Sequence, residues 1–193
     1  MSNTQWQFAD TVGRFRVDLD TINGRSTKVI RCVTAGALYL NRSALQCEAG
    51  AMAWGEWEFW HYRTAGAVSR VALVSSTPTL TAFNGYAVYV QGADVVYFLR
   101  YDAGVIGSFM FYSVAGQALR NAWLKFRVSR TVAGIFTLYV NDALPVRDGG
   151  ANPTAADATY LTSNYIVIEA QVGDKIALGS VDGANAFVKR LKG

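Results

Sequence analysis

The chain has little charge, one histidine and no stretch of helical periodicity. Only 17% of its 193 residues are charged, and it holds two cysteines and three prolines. One histidine and two distant cysteines, Cys32 and Cys47, cannot close a zinc site. A disulfide is not needed either, because a chain this long buries roughly 70% of the surface its unfolded form exposes. Pairing would require the two Cα atoms within about 7 Å, and buried thiols are the expectation. No apolar run approaches the ~18 residues of a transmembrane helix, so no membrane insertion is expected. The opening residues, Met1-Ser2-Asn3-Thr4-Gln5-Trp6, lack the basic and apolar regions of a signal peptide, which points to synthesis in a cytoplasm. In that compartment the sequon Asn41-Arg42-Ser43 reads as a polar turn. The net charge of +4 is scattered, with its densest cluster at Lys189, Arg190 and Lys192. A nucleic-acid binder would concentrate its cations on one face, and no nucleic-acid partner is expected.

What the chain does have is strand-forming side chains. It is 51% hydrophobic and 13% aromatic, which excludes disorder. Phe15, Val17 and Leu19 alternate with Arg14, Arg16 and Asp18. Runs of the same kind cover residues 29–33, 37–40, 53–63, 68–75, 85–90, 95–102, 108–114, 124–129 and 135–140. Gly, Asn, Pro or Asp separates each from the next, the pattern of an all-β sandwich or barrel. Residues 86–90 and 95–101 are apolar on both faces and read as central strands. Leu124, Phe126 and Val128 alternate cleanly with polar neighbours, so one face there meets solvent. Residues 115–123 and 152–158 have room for a helical turn each, and residues 148–157 form the longest loop. With no repeat and no linker, residues 1–193 read as one domain, 1–50 as edge strands and 51–193 as the main sandwich.

Trp123-Leu124-Lys125-Phe126-Arg127-Val128-Ser129-Arg130, followed by Gly134-Ile135-Phe136-Thr137-Leu138-Tyr139-Val140-Asn141-Asp142, resembles the paired strands of concanavalin A-like and laminin G-like jelly rolls. Tyr165-Ile166-Val167-Ile168-Glu169-Ala170 and Gly173-Asp174-Lys175-Ile176-Ala177-Leu178-Gly179-Ser180 resemble their closing strands. Gly55-Glu56-Trp57-Glu58-Phe59 is similar to the strand entering their large curved sheet. The resemblance covers roughly Trp54 to Gly193. It implies a two-sheet antiparallel β-sandwich of the jelly-roll kind and leaves function open. The chain also resembles jelly-roll modules of tailed-phage virion proteins, such as decoration proteins, head fibres and tail appendages. That implies a place in a virion, with other virion proteins or further copies of itself as partners.

Glu56 and Glu58 lie two apart, so on a strand they share one face about 7 Å apart. Glycosidases use carboxylates separated by about 5–9 Å. Sandwich glucanases of the class resembled carry E-x-D-x-x-E, and here the third acid is missing with His61 in its place. Jelly-roll lyases would need an Arg/Gln/His/Tyr set that a lone His61 does not make. No catalytic residue is assigned and no enzyme is expected; a polysaccharide hydrolase or lyase is the alternative. His61 is expected to be half-buried on the core side. Asn141, Asp142 and Asp148 are the only loop cluster with calcium-type donors, and turn formation explains them more simply. No metal and no cofactor are expected. If Trp57 and Phe59 face the core, then Glu58, Trp60 and Tyr62 line the opposite face, joined by Arg100 and Tyr112 from later strands. An aromatic ring beside a carboxylate suits a sugar, and aromatics also concentrate at protein interfaces. The expectation is a non-enzymatic virion structural or appendage protein with a lectin-like jelly roll, a cell-surface or environmental glycan being a further candidate partner. A free-standing carbohydrate-binding module is the other alternative.

Overall fold

The computed structural model describes residues 13–34, 36–41, 54–77, 79–146, 148, 154–161, 165–178 and 188–189, the backbone alone at 36–41 and 188–189. Strands occur among them and no helix. One sheet has eight strands. Its main path runs β1 (Phe15–Ile22), β2 (Arg25–Cys32), β13 (Lys175–Leu178), β4 (Gly55–Tyr62), β9 (Trp123–Arg130), β10 (Ile135–Val140) and β11 (Thr154–Ala156). β14 (Val188–Lys189) also pairs with β4. The smaller sheet runs β3 (Gly36–Asn41), β12 (Tyr165–Ala170), β5 (Ser69–Ser75), β6 (Gly85–Gln91), β7 (Val95–Asp102) and β8 (Val105–Tyr112). All pairings are antiparallel. The two-sheet β-sandwich expected from the alternation is the fold observed.

The inner faces follow from period two. Trp57 and Phe59 of β4, Leu124, Phe126 and Val128 of β9, and Phe136 and Leu138 of β10 project inward from the larger sheet. They meet Tyr86, Val88, Val96, Phe98, Ile166 and Ile168 of the smaller one. Phe59 stacks on Phe126 with ring centroids 5.1 Å apart. Each such side chain, removed from water, contributes about 1.5–3 kcal/mol. β6 and β7 are interior strands, as their two apolar faces require.

Three two-residue turns have both central residues at positive φ: Asn23-Gly24, Ala103-Gly104 and Asn141-Asp142. In the first two that left-handed geometry matches the twist of the strands joined, and the third closes the Val140–Ala143 bridge after β10. At Gly104 a Cβ would sit 2.2 Å from the Thr81 carbonyl oxygen, so only glycine fits.

Several expectations need correction. Thr154–Ala156 is a strand paired with β10, so no helical turn forms there; Asn152 and Pro153 lie outside the described residues. Residues 115–123 make turns and bends before entering β9. β1 and β3 are edge strands, but β2 lies inside its sheet between β1 and β13. Cys32 is buried with its Sγ directed at the carbonyls of Thr34 and Ala170, whereas Cys47 lies outside the described residues. Arg42, Ser43, Arg190 and Lys192 also lie outside them.

Buried arginines fasten opposite ends of the β4–β9 pair. Arg63, just past β4, is fully buried and donates to Asp94 and to the carbonyls of Ala65, Ala67 and Ala118. At the other end Arg130 donates to the carbonyls of Asp157 and Tyr160 while lying over the rings of Tyr86 and Phe136. Asp157 accepts from Tyr86 at 2.6 Å and from Arg100 at 2.8 Å. The segment after β11 is thereby tied to both sheets. Burial pushes the Asp157 carboxyl up, but hydrogen bonds from Tyr86, Thr159 and Arg100 outweigh it and bring it down to about 2. Burial, with help from Asp157, pushes the Tyr86 phenol up to about 12.

Candidate functional site

The side of β4 that does not enter the core carries Glu56, Glu58, Trp60 and Tyr62. β9 lies beside it in unbroken register, with Glu58 opposite Arg127, Trp60 opposite Lys125, and Tyr62 opposite Trp123. Long side chains on neighbouring strands reach diagonally across such a ladder. Arg127 accordingly bonds Glu56 at 3.0 Å, and Lys125 lies 3.4 Å from Glu58. Asp142, in the left-handed turn after β10, approaches Lys125 at 3.1 Å and Arg127 at 3.8 Å. Burial works against the charge on Lys125, yet Asp142 and Glu58 hold its pKa above the ordinary lysine value. The Arg127 guanidinium lies 3.8 Å over the Tyr139 ring, a cation–π contact that fixes its direction. Lys175 caps the other end of the face, 4.7 Å over Tyr62 and 2.5 Å from Asp20.

Glu58, Trp60 and Tyr62 therefore share one face, as the alternation predicts. Trp60 is only 7% exposed. Ile22, Val29 and Ala177 pack around it, with Trp123 alongside, so the hairpin of β1 and β2 covers the ring. It offers no open surface for stacking. Tyr62 and Trp123 are half-buried, with ring centroids 5.6 Å apart, and are the aromatics this face presents.

Arg100 and Tyr112 do not join them, because β7 and β8 belong to the smaller sheet. Arg100 has the parity of Phe98 and points inward, bonded to Asp157 and Asp102. Tyr112 is on the outer side of the smaller sheet. Strand alternation fixes faces within a strand but does not say which sheet takes the strand, and the grouping failed on that point.

His61 is not on the acidic face either. β4 runs without a bulge, so His61 follows Phe59 inward, and the third position beyond Glu56 and Glu58 is Trp60. The imidazole is buried outright at 2% exposure, not half-buried. Burial lowers its pKa, and Asp174, 3.9 Å away, opposes this in part. Asp174 is itself held by Thr64 and by the Gln171 amide. Asn141 and Asp142 form a turn whose Asn141 side chain accepts the Lys125 amide, and Asp148 donates its amide to the Tyr112 carbonyl. No cluster of three metal-ligating side chains occurs among the described residues.

The sequence reading missed the aromatic ladder on the outer side of the smaller sheet. Tyr89, Tyr97, Phe109 and Tyr112 run across β6, β7 and β8, each centroid within 6.1 Å of the Tyr97 ring. Arg70 and Glu169 close an ion pair beside it at 2.8 Å. The available signal was the apolar composition of both faces of β6 and β7.

No family model and no curated protein matches the chain in sequence. Solved structures do match it in shape. The carbohydrate recognition domain of Emp47p superposes with a TM-score of 0.53, covering 90% of this chain and 85% of that one at 10% identity. A β-glucanase of Bacillus licheniformis gives 0.51, covering 95% and 83% at 17% identity. The fold is a concanavalin A-like jelly roll. At such identities the jelly roll is what the likeness establishes, and site chemistry must be argued from this chain's own residues.

Proposed function

We propose that this jelly roll is a non-catalytic, lectin-like module that serves as a structural or appendage protein of a virion and adheres to glycan. The observation that carries the non-catalytic part is the neutralised acid pair. A glycosidase keeps one carboxyl protonated and leaves the other free to attack or to activate water. Here cations of β9 stand at 3.0 Å from Glu56 and 3.4 Å from Glu58, so both carboxylates are already engaged in ion pairs. Trp60 occupies the face where a further acid would stand.

The virion setting is supported by the resemblance to tailed-phage modules. Glycan adhesion is supported by the half-buried Tyr62–Trp123 pair, set among Lys125, Lys175 and carboxylates on an otherwise closed face. It is also in keeping with the Emp47p domain, which is named for carbohydrate recognition.

Mass spectrometry of purified particles tests the setting; the chain's absence from every particle would overturn it. Incubation with β-glucans and acidic polysaccharides should release neither reducing ends nor unsaturated products. Release that Glu58→Gln abolishes would establish the hydrolase or lyase reading instead. On a glycan array, binding should be lost in Tyr62→Ala and Trp123→Ala and kept in Tyr112→Ala.

A further inference from the structure

The connection from β12 to β13, residues 171–174, crosses from the smaller sheet to the larger and brings Asp174 to 3.9 Å from His61. Hydrogen bonds hold it there. The Cys32 amide donates to the Asp174 carbonyl at 2.9 Å, and the Gly173 amide to the Cys32 carbonyl at 2.9 Å. Thr64 Oγ1 stands 3.0 Å from the Val172 carbonyl, and the Gln171 side chain donates to the Val68 carbonyl at 2.8 Å. The turn has no apolar anchor of its own, since Val172 is 58% exposed. Segments fastened by hydrogen bonds with few apolar contacts are those that open locally at least cost.

The buried His61 beside this turn has apolar neighbours across the ladder, Leu124 of β9 and Ile176 of β13, with the Phe126 ring 6.4 Å away. Among the described residues, Asp174 and Arg63 are the charged groups that act on it. Arg63 is committed to Asp94, which also takes Arg120, and it repels a proton on the imidazole. Asp174 attracts one, but both its oxygens are engaged. Oδ1 accepts the Thr64 amide at 2.9 Å, and Oδ2 accepts the Gln171 amide at 3.1 Å. At 3.9 Å, His61 Nε2 makes no hydrogen bond to it. The closed turn therefore suits a neutral imidazole, and burial lowers the His61 pKa by more than Asp174 raises it. An imidazolium needs a free carboxylate oxygen or water, and lifting the turn supplies water.

Acid thus makes the species that the closed form excludes. A group with a lower pKa in the closed form than in the open one drives opening as pH falls, by about tenfold per pH unit between the two values. His61 is the chain's one histidine, and histidine is the side chain whose ordinary pKa lies between about pH 5 and 8. Burial raises the Asp174 carboxyl, but His61, Thr64 and Gln171 outweigh it and hold it below 3.8, so it stays charged across that range.

We propose that His61 and Asp174 form an acid-operated latch, in which protonation of His61 releases the turn 171–174 from Thr64 and Cys32. Lys175 follows Asp174 directly and lies 4.7 Å over Tyr62, so release also loosens that end of the outer face. The latch rests on neither the glycan nor the virion reading, and either can fail without the other.

Amide hydrogen exchange of the full chain, corrected for the intrinsic effect of pH, tests it residue by residue. Below pH 6.5 the amides of Thr64, Gln171 and Gly173 should lose protection by about tenfold per pH unit, while Phe126 and Val128 of β9 keep theirs. The lone histidine gives one imidazole signal by NMR, and its titration midpoint should lie below 6.5. His61→Phe should hold the turn's protection constant over the same range. Thr64→Ala weakens the turn and leaves the imidazole in place, so it should move the midpoint up toward 6.5. Turn protection indifferent to pH, a His61→Phe chain that loses it as the parent does, a loss shared equally by β9, or a midpoint unmoved by Thr64→Ala would overturn the proposal.

Discussion

The two outer faces of the sandwich are built by the same alternation and end in different chemistry. On the larger sheet, outward positions of β4 and β9 hold carboxylates and cations that bond diagonally, so Glu56, Glu58, Lys125 and Arg127 neutralise one another. On the smaller sheet, outward positions of β6, β7 and β8 hold rings that pack on rings, with Phe109 at 57% and Tyr112 at 40% exposure. The charged face is closed electrostatically and also covered at Trp60. The aromatic face is closed at Tyr101, where Phe83 lies 4.6 Å away, and open toward β8. Exposure along a strand is therefore set by what lies across the neighbouring strands.

The comparison breaks most easily at Trp60. If the hairpin of β1 and β2 covers it in solution, Trp60→Ala should cost about 3–5 kcal/mol in urea unfolding, as a large buried ring does. A cost below about 1 kcal/mol would mean that the ring is open and the face available for stacking. Within the ionic network, Glu58→Gln should cost about 1–2 kcal/mol, because Lys125 then loses a partner on a poorly solvated face. Asp142→Ala, at a 60% exposed carboxylate, should cost under about 1 kcal/mol, and equal losses would show the network to be uniformly exposed.

Acid titration separates the buried polar groups from both outer faces. The folded pKa of Asp157 is about 2, below its ordinary value of 3.8. The stability this carboxylate contributes is thus present above pH 3.8 and lost as pH falls toward 2. Asp157→Asn should flatten that part of the pH–stability curve, whereas Asp142→Ala should leave it unchanged. The lowered pKa of His61 acts in the same direction at higher pH, its contribution falling away as pH drops below the ordinary histidine value of 6.5. His61→Phe should remove that slope. The smallest effect is expected at Tyr112→Ala, within about 1 kcal/mol, since the ring already faces water in part.

Much of the fold was legible because its rules are local. Alternation in β4 placed Trp57 and Phe59 inward and Glu58, Trp60 and Tyr62 outward, and β9 followed the same rule. Turn chemistry located Asn141-Asp142. The candidate site was less legible. Which strands share a sheet depends on long-range pairing, and this separated Arg100 and Tyr112 from Glu58. His61 was assigned to the core face, but its burial beside Asp174 depends on a loop more than a hundred residues away in the chain.

The sequence by itself determined an all-β sandwich, the face taken by each β4 side chain and the want of an acid triad, because side-chain period and residue type are properties of single strands. Only the tertiary structure decided that Trp60 is covered, that the acids are paired with β9 cations, and that the aromatic ladder stands on the opposite sheet. Burial and ion pairing depend on neighbours across strands, and sequence distance does not encode which strands become neighbours.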